Sequence, residues 1–146
     1  MASIAIDTES RTKAAGGVFA DLVAVLGRVL LAALFILSGM GKLSAPGPTM
    51  LYIQSGGIPF PDLALFSAVA IEIAGGLALI VGFKTRWTAV LIATFTAATG
   101  CIFHSQLGDE NQMIHFYKNV AIVGGLLQIA AFGSGRFGLD RVLRRR

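Results

Sequence analysis

The stretch that decides the fold is LALFSAVAIEIAGGLALIVGF, residues 63–83. It is apolar from end to end except for Glu72 near its middle. A helix that crosses a bilayer takes about 20 mostly apolar residues, and this run has that length. Placing a charged side chain at mid-bilayer costs roughly 3 kcal/mol even on lenient scales, so such residues face a bundle interior or a wet cavity. A single lipid-bathed helix is a poor home for Glu72. The run therefore predicts several helices packed around a polar interior.

Working outward, three more windows qualify: 22–41, 87–107 and 113–132. None alternates with the period of two that barrel strands need, so helices are expected. Short links at 84–86 and 108–112 make the last three helices antiparallel neighbours. The composition agrees, with 55% hydrophobic and 14% charged residues and a mean hydropathy of +0.74. A soluble domain carries about a quarter charged residues. The expected class is an all-α membrane protein, an antiparallel four-helix transmembrane bundle. It occupies 18–143 as one domain, after a mobile tail at 1–17 and before a basic end at 144–146.

Basic residues sort by side. Arg11 and Lys13 precede the first window, Lys84 and Arg86 fill the second link, and Arg136, Arg141 and Arg144–Arg146 follow the last window. The other two connections hold only Lys42 between them, and Asp109 and Glu110 mark the last. The positive-inside rule then places both termini in the cytoplasm, N-in and C-in. The net charge of +4 is concentrated beside membrane spans, which points to lipid headgroups rather than nucleic acid. Segment 44–62 holds Pro46, Pro48, Pro59 and Pro61 beside Tyr52, Ile53 and Phe60. It is expected as an interfacial loop or a cover over the outer mouth of the bundle.

Close packing of small residues drives helix association in lipid. Two stripes at four-residue spacing are expected to pack, Ala70–Ala74–Ala78 and Ala89–Ala93–Ala97–Cys101. Gly75–Gly76 and Gly124–Gly125 add two glycine pairs. Cys101 is the sole cysteine, which excludes an internal disulfide and a Cys-x-x-Cys pair.

The candidate ligand or proton site comprises Arg28, Glu72, His104, Lys118 and Asn119, with Lys42 and Tyr52 at the pocket mouth. Counting about 1.5 Å of rise per residue from Asp62 and from Gly41 places Glu72 and Arg28 at comparable depths. Glu72 is expected to pair with Arg28 or Lys118, or to face a wet pocket as a proton or ligand site. His104 is either a hydrogen-bonded structural residue or a proton donor. His104 and His115 flank one turn, but no closed set of metal ligands is evident, and no metal is expected. No nucleotide loop, catalytic serine elbow or metalloprotease motif occurs in the chain.

The pattern resembles the DoxX family of small four-span bacterial membrane proteins over about 27–143. The resemblance rests on Gly39-Met40-Gly41-Lys42-Leu43, on Gly57-Ile58-Pro59-Phe60-Pro61, and on Glu72 with Gly75-Gly76. The segment from Gly82 to Arg86, Phe116-Tyr117-Lys118-Asn119 with Gly124-Gly125-Leu126, and Gly133–Asp140 complete it. It implies an inner-membrane protein and an association with quinone-linked oxidation. The expected role is an accessory, non-catalytic or quinone-binding, subunit of an oxidoreductase complex. No cofactor is evident in the chain itself, so a quinone or a redox partner protein would carry the electrons. A small-anion or weak-acid carrier, and a scaffold for partner proteins, are the alternatives. The bilayer is the expected partner throughout, with a homo-oligomer also compatible.

Overall fold

The computed structural model describes the backbone of residues 2–144 and the side chains from Gly17 onward. The backbone of the expected tail is helical from Ala2 and continuous with the first helix, and of the basic end at 144–146 only Arg144 is described. Six helices follow in order: α1 (Ala2–Ser44), α2 (Pro46–Ser55), α3 (Pro61–Val81), α4 (Thr85–Phe103), α5 (Glu110–Phe132) and α6 (Leu139–Arg144). Four of them are long and apolar enough to cross a membrane: Gly17–Ser44 of α1, and α3, α4 and α5. The all-helical, four-span class is therefore borne out.

The spans pack in a row. α1 lies against α3, α3 against α4, and α4 against α5, while α1 and α5 touch sparingly. The core consists of Ala32, Phe35, Leu79, Ala89, Ile92, Ala93 and Leu126. Most other large apolar side chains are exposed, among them Phe66, Leu30 and Leu127. That is the surface a bilayer requires, because lipid tails solvate it.

The glycine pair on α3 lets both neighbours approach. A Cβ at Gly75 would stand 2.9 Å from Ile92 Cδ1 of α4, and one at Gly76 would stand 2.7 Å from Ile36 Cγ1 of α1. The alanine stripes fare differently. Ala89 and Ala93 are buried, but Ala97 and Cys101 are exposed, as are Ala70 and Ala74. With 3.6 residues per turn, a four-residue step rotates by about 40°, so a stripe of four positions leaves the interface it starts in. The buried face of α3 instead reads Ala68, Glu72, Gly75, Gly76 and Leu79.

Segment 44–62, expected as a loop, contains α2. Pro46 and Pro48 do not prevent this, because proline is tolerated in a first turn where N–H groups lack partners anyway. α2 buries Ile53 and stacks Tyr52 on Phe103 of α4, with ring centroids 4.9 Å apart. It lies over one end of the bundle, which also holds the α4–α5 turn.

α6 closes the opposite end. α3 stops at Gly82, whose φ of 72° suits glycine, and the N–H groups of Gly82 and Phe83 return to Leu79 and Ala78. The Asp140 carboxylate accepts from the Lys84 N–H at 2.6 Å and the Thr85 N–H at 2.8 Å, capping α4. The Asp140 N–H donates back to the Gly82 carbonyl at 2.9 Å. Arg28 of α1, 2% exposed, reaches into this corner. It donates to the carbonyls of Ser134 at 2.7 Å, Phe137 at 3.1 Å and Ile80 at 3.4 Å. The Ile80 carbonyl belongs to the last turn of α3, where carbonyls carry partial negative charge, and all three carbonyls accept charge-assisted bonds from the guanidinium.

Partial burial pushes the Asp140 carboxyl up, but the Thr85 and Lys84 donors and the nearby Arg144 outweigh it and hold it below the ordinary aspartate value. Its stabilising contribution is therefore present above the unfolded value of about 3.9 and is lost as pH falls through the folded value. Asp140→Asn should lower stability by about 1–2 kcal/mol at neutral pH, and the gap to wild type should close in acid, as read from thermal unfolding in detergent across pH. Arg28→Met should cost about 3 kcal/mol in the same assay, since it removes the buried bond to Ser134 and the part-buried bonds to Phe137 and Ile80.

Candidate functional site

Glu72 is 4% exposed and has found its cation on α1. Lys42 Nζ donates to Glu72 Oε1 at 2.8 Å and to Oε2 at 2.9 Å. It also donates to Ser38 Oγ at 2.8 Å, and the Ser38 hydroxyl in turn donates to Glu72 Oε1 at 3.1 Å. Ser38 and Lys42 sit four residues apart, on one face of α1. All three ammonium protons are thus used, and both carboxylate oxygens are met. Such charge-assisted bonds are about twice as strong as neutral ones, and they offset the cost of keeping a carboxylate in an apolar setting.

The pairing with Arg28 or Lys118 does not occur. The register of α1 on α3 explains why. A Cβ at Gly39 would lie 3.3 Å from Glu72 Cβ, so residues 38 and 39 are level with Glu72. Arg28 lies about 16 Å below that level by helical rise, in the α6 corner. The depth estimate failed because Gly41 and Asp62 do not stand at one height. α3 extends past the end of α1, and α2 fills the difference. Lys118 is exposed and contacts His115 Nδ1 at 3.0 Å.

Beside the ion pair is a partly open cavity of about 450 Å³, lined by residues of α1, α3, α4 and α5 and by α2. Its walls are mainly apolar, with Phe35, Ile53, Ile71, Phe95 and Phe103. Ser38, Lys42 and Glu72 form one polar patch, while His104, Thr96, Thr99 and Asn119 supply further polar groups. Pockets of roughly 300–1,000 Å³ with a few placed polar groups are the usual form of a small-molecule site. The sparse contact between α1 and α5 leaves this space. Within the patch, Lys42 keeps a side-chain exposure of 26% against 5% for Glu72, so the lysine is the more accessible member of the pair.

Five of the expected residues line this cavity: Lys42, Tyr52, Glu72, His104 and Asn119. Arg28 and Lys118 do not. His104 Nδ1 lies 2.8 Å from Gln112 Oε1, and its ring stacks on His115 with centroids 5.0 Å apart. Among the described residues, no group of three or more metal-ligating side chains converges. Ser38 was not expected. Its signal is the spacing to Lys42, visible once α1 is taken past Gly41.

Because Lys118 is paired only at the surface, Lys118→Gln should shift thermal stability in detergent by no more than about 0.5 kcal/mol. A loss of several times that amount would place Lys118 inside the bundle.

The chain matches the DoxX family over residues 23–105. It is 36% identical over 126 residues to the inner membrane protein YqjF of Escherichia coli (strain K12), which takes in 86% of this chain and 95% of that protein. It is 35% identical over 130 residues to the inner membrane protein YphA of the same organism, with 86% and 93% covered. No solved structure matches. The match spans α2, α3, α4 and most of the crossing part of α1, and thus both halves of the Ser38–Lys42–Glu72 cluster. With four spans and relatives similar over nearly their whole length, the chain belongs to the DoxX family and is an integral, multi-pass protein of the bacterial inner membrane.

Proposed function

We propose that the chain is an accessory membrane subunit of a redox complex, and that its cavity holds the headgroup of a quinone. The observation that carries this reading is the pairing of one charged, hydrogen-bonded patch with mainly apolar walls that include several aromatic rings. A quinone has that character, with a flat ring, an apolar tail and carbonyl oxygens that accept hydrogen bonds. Lys42 would give up its bond to Ser38 and donate to one carbonyl. Glu72 fixes the ammonium in place. Tyr52 and Phe103, stacked over the cavity, would hold the ring. Electron transfer itself falls to a partner protein, since the chain carries no motif for a redox centre of its own. The same reading places the α6 end in the cytoplasm, because Lys84, Arg86, Arg136, Arg141 and Arg144 gather there.

The ion pair also separates this reading from an anion carrier. A carrier for a weak acid calls for an uncompensated cation, and Lys42 is already matched by Glu72 at 2.8 Å. A neutral, polar headgroup suits a neutralised patch better.

Gentle purification followed by solvent extraction and chromatography should recover quinone with the wild-type protein. Glu72→Gln should lower the retained quinone by about tenfold, the equivalent of one lost hydrogen bond to a charged group, while circular dichroism stays unchanged. Equal retention by the two proteins would remove the cavity from quinone binding.

A further inference from the structure

A second concavity lies at the opposite end of the bundle, far from the Ser38–Lys42–Glu72 cluster. It measures about 820 Å³ and runs between the α3–α4 turn and the exit from α5. Four cations line it: Lys84, Arg86, Arg141 and Arg144. Asp140 is the carboxylate in the lining, and it is occupied with the N–H groups of Lys84 and Thr85. The groove therefore sets four cations against one carboxylate and keeps a surplus of positive charge. At its rim stand Trp87 and Phe132, 77% and 78% exposed.

The position of this groove follows from the spans. α4 begins at Thr85 and α5 ends at Phe132, so the groove sits where the apolar helices leave the hydrocarbon. Exposed aromatic rings beside cations at that depth are the side chains found at a lipid headgroup layer. Basic pockets between spans accept anionic headgroups, and each engaged cation adds about fivefold in affinity. A soluble anion would explain the arginines but not two fully presented aromatic rings at the mouth.

We propose that this groove is a binding site for one anionic phospholipid. Arg86, Arg141 and Arg144 hold the phosphodiester, and the acyl chains run down past Trp87 and Phe132. The Arg86 side chain is set by Gly133, where an added Cβ would stand 3.3 Å from Arg86 Nε. The Arg28 and Asp140 contacts hold α6, and with it Arg141 and Arg144, against the spans.

Trp87 is the one tryptophan of the chain, so quenching is read at the mouth of this groove, and the difference between two lipids separates binding there from general contact with the micelle. The full-length protein would be titrated in neutral detergent micelles with phosphatidylglycerol or phosphatidylcholine carrying brominated acyl chains, and quenching of Trp87 followed. Quenching should reach its midpoint at a mole fraction at least about fivefold lower for phosphatidylglycerol. Arg86→Gln and Arg141→Gln should each shrink that preference. Arg136→Gln should not, although it removes the same charge at the same end, because Arg136 is engaged with Asp21 at 3.6 Å outside the groove. Equal midpoints for the two lipids with the wild-type protein would overturn the site, without needing any variant to fold. An equal loss in Arg136→Gln would reduce it to general surface charge and overturn it too. Reversal of the preference by millimolar inorganic phosphate, but not by chloride at equal ionic strength, would make the site one for a soluble anion and would overturn the lipid as its occupant.

Discussion

An acid in the middle of an apolar helix constrains everything around it. Glu72 cannot face acyl chains at tolerable cost, so α3 must turn that side toward a helix that brings a cation to the same depth. Lys42 does so from the end of α1, reaching back along its own helix past Ser38. The contact fixes the register of α1 on α3, and Gly39 and Gly76 allow the two backbones to close around it. Lys42 then stands at the edge of the space left where α1 and α5 diverge. The same contact that makes the bundle tolerable in lipid supplies the charged wall of its cavity.

The two ends of the bundle solve different problems. At the α6 end, Arg28 is buried without a carboxylate in contact and is solvated by the carbonyls of Ile80, Ser134 and Phe137. The Arg28 and Asp140 bonds there hold chain ends together. At the α2 end, the polar groups line a partly open space beside Tyr52 and Ile53. Buried charge thus serves assembly at one end and borders a cavity at the other. In a chain built mainly of four spans, this separation leaves room for a ligand site at one end.

Much of this was legible in the residues. Span number and helical class follow from continuous apolar runs, and the burial of Glu72 follows from its cost. The partner of Glu72 was not legible, because depth counted from assumed helix ends carries an error of several residues at each end. Counting from Gly41 and Asp62 as if they were level set Glu72 opposite Arg28 and far from Lys42, and the packing of Gly39 against Ile73 and Glu72 reverses this. α2 was hidden for a related reason: its prolines suggest a loop, yet they sit in a first turn that accepts them. The alanine stripes misled because a spacing of four drifts off one face, leaving Cys101 exposed.

The claim beneath this account is that Lys42 and Glu72 stabilise one another inside the bundle. A double-mutant cycle over Lys42→Met and Glu72→Gln, read from unfolding free energies in detergent, tests it most directly. Each single change should be costly, the pair should cost less than their sum, and a coupling energy on the order of 1–3 kcal/mol should remain. Additive effects, with coupling indistinguishable from zero, would mean that the two side chains do not meet and would contradict the account.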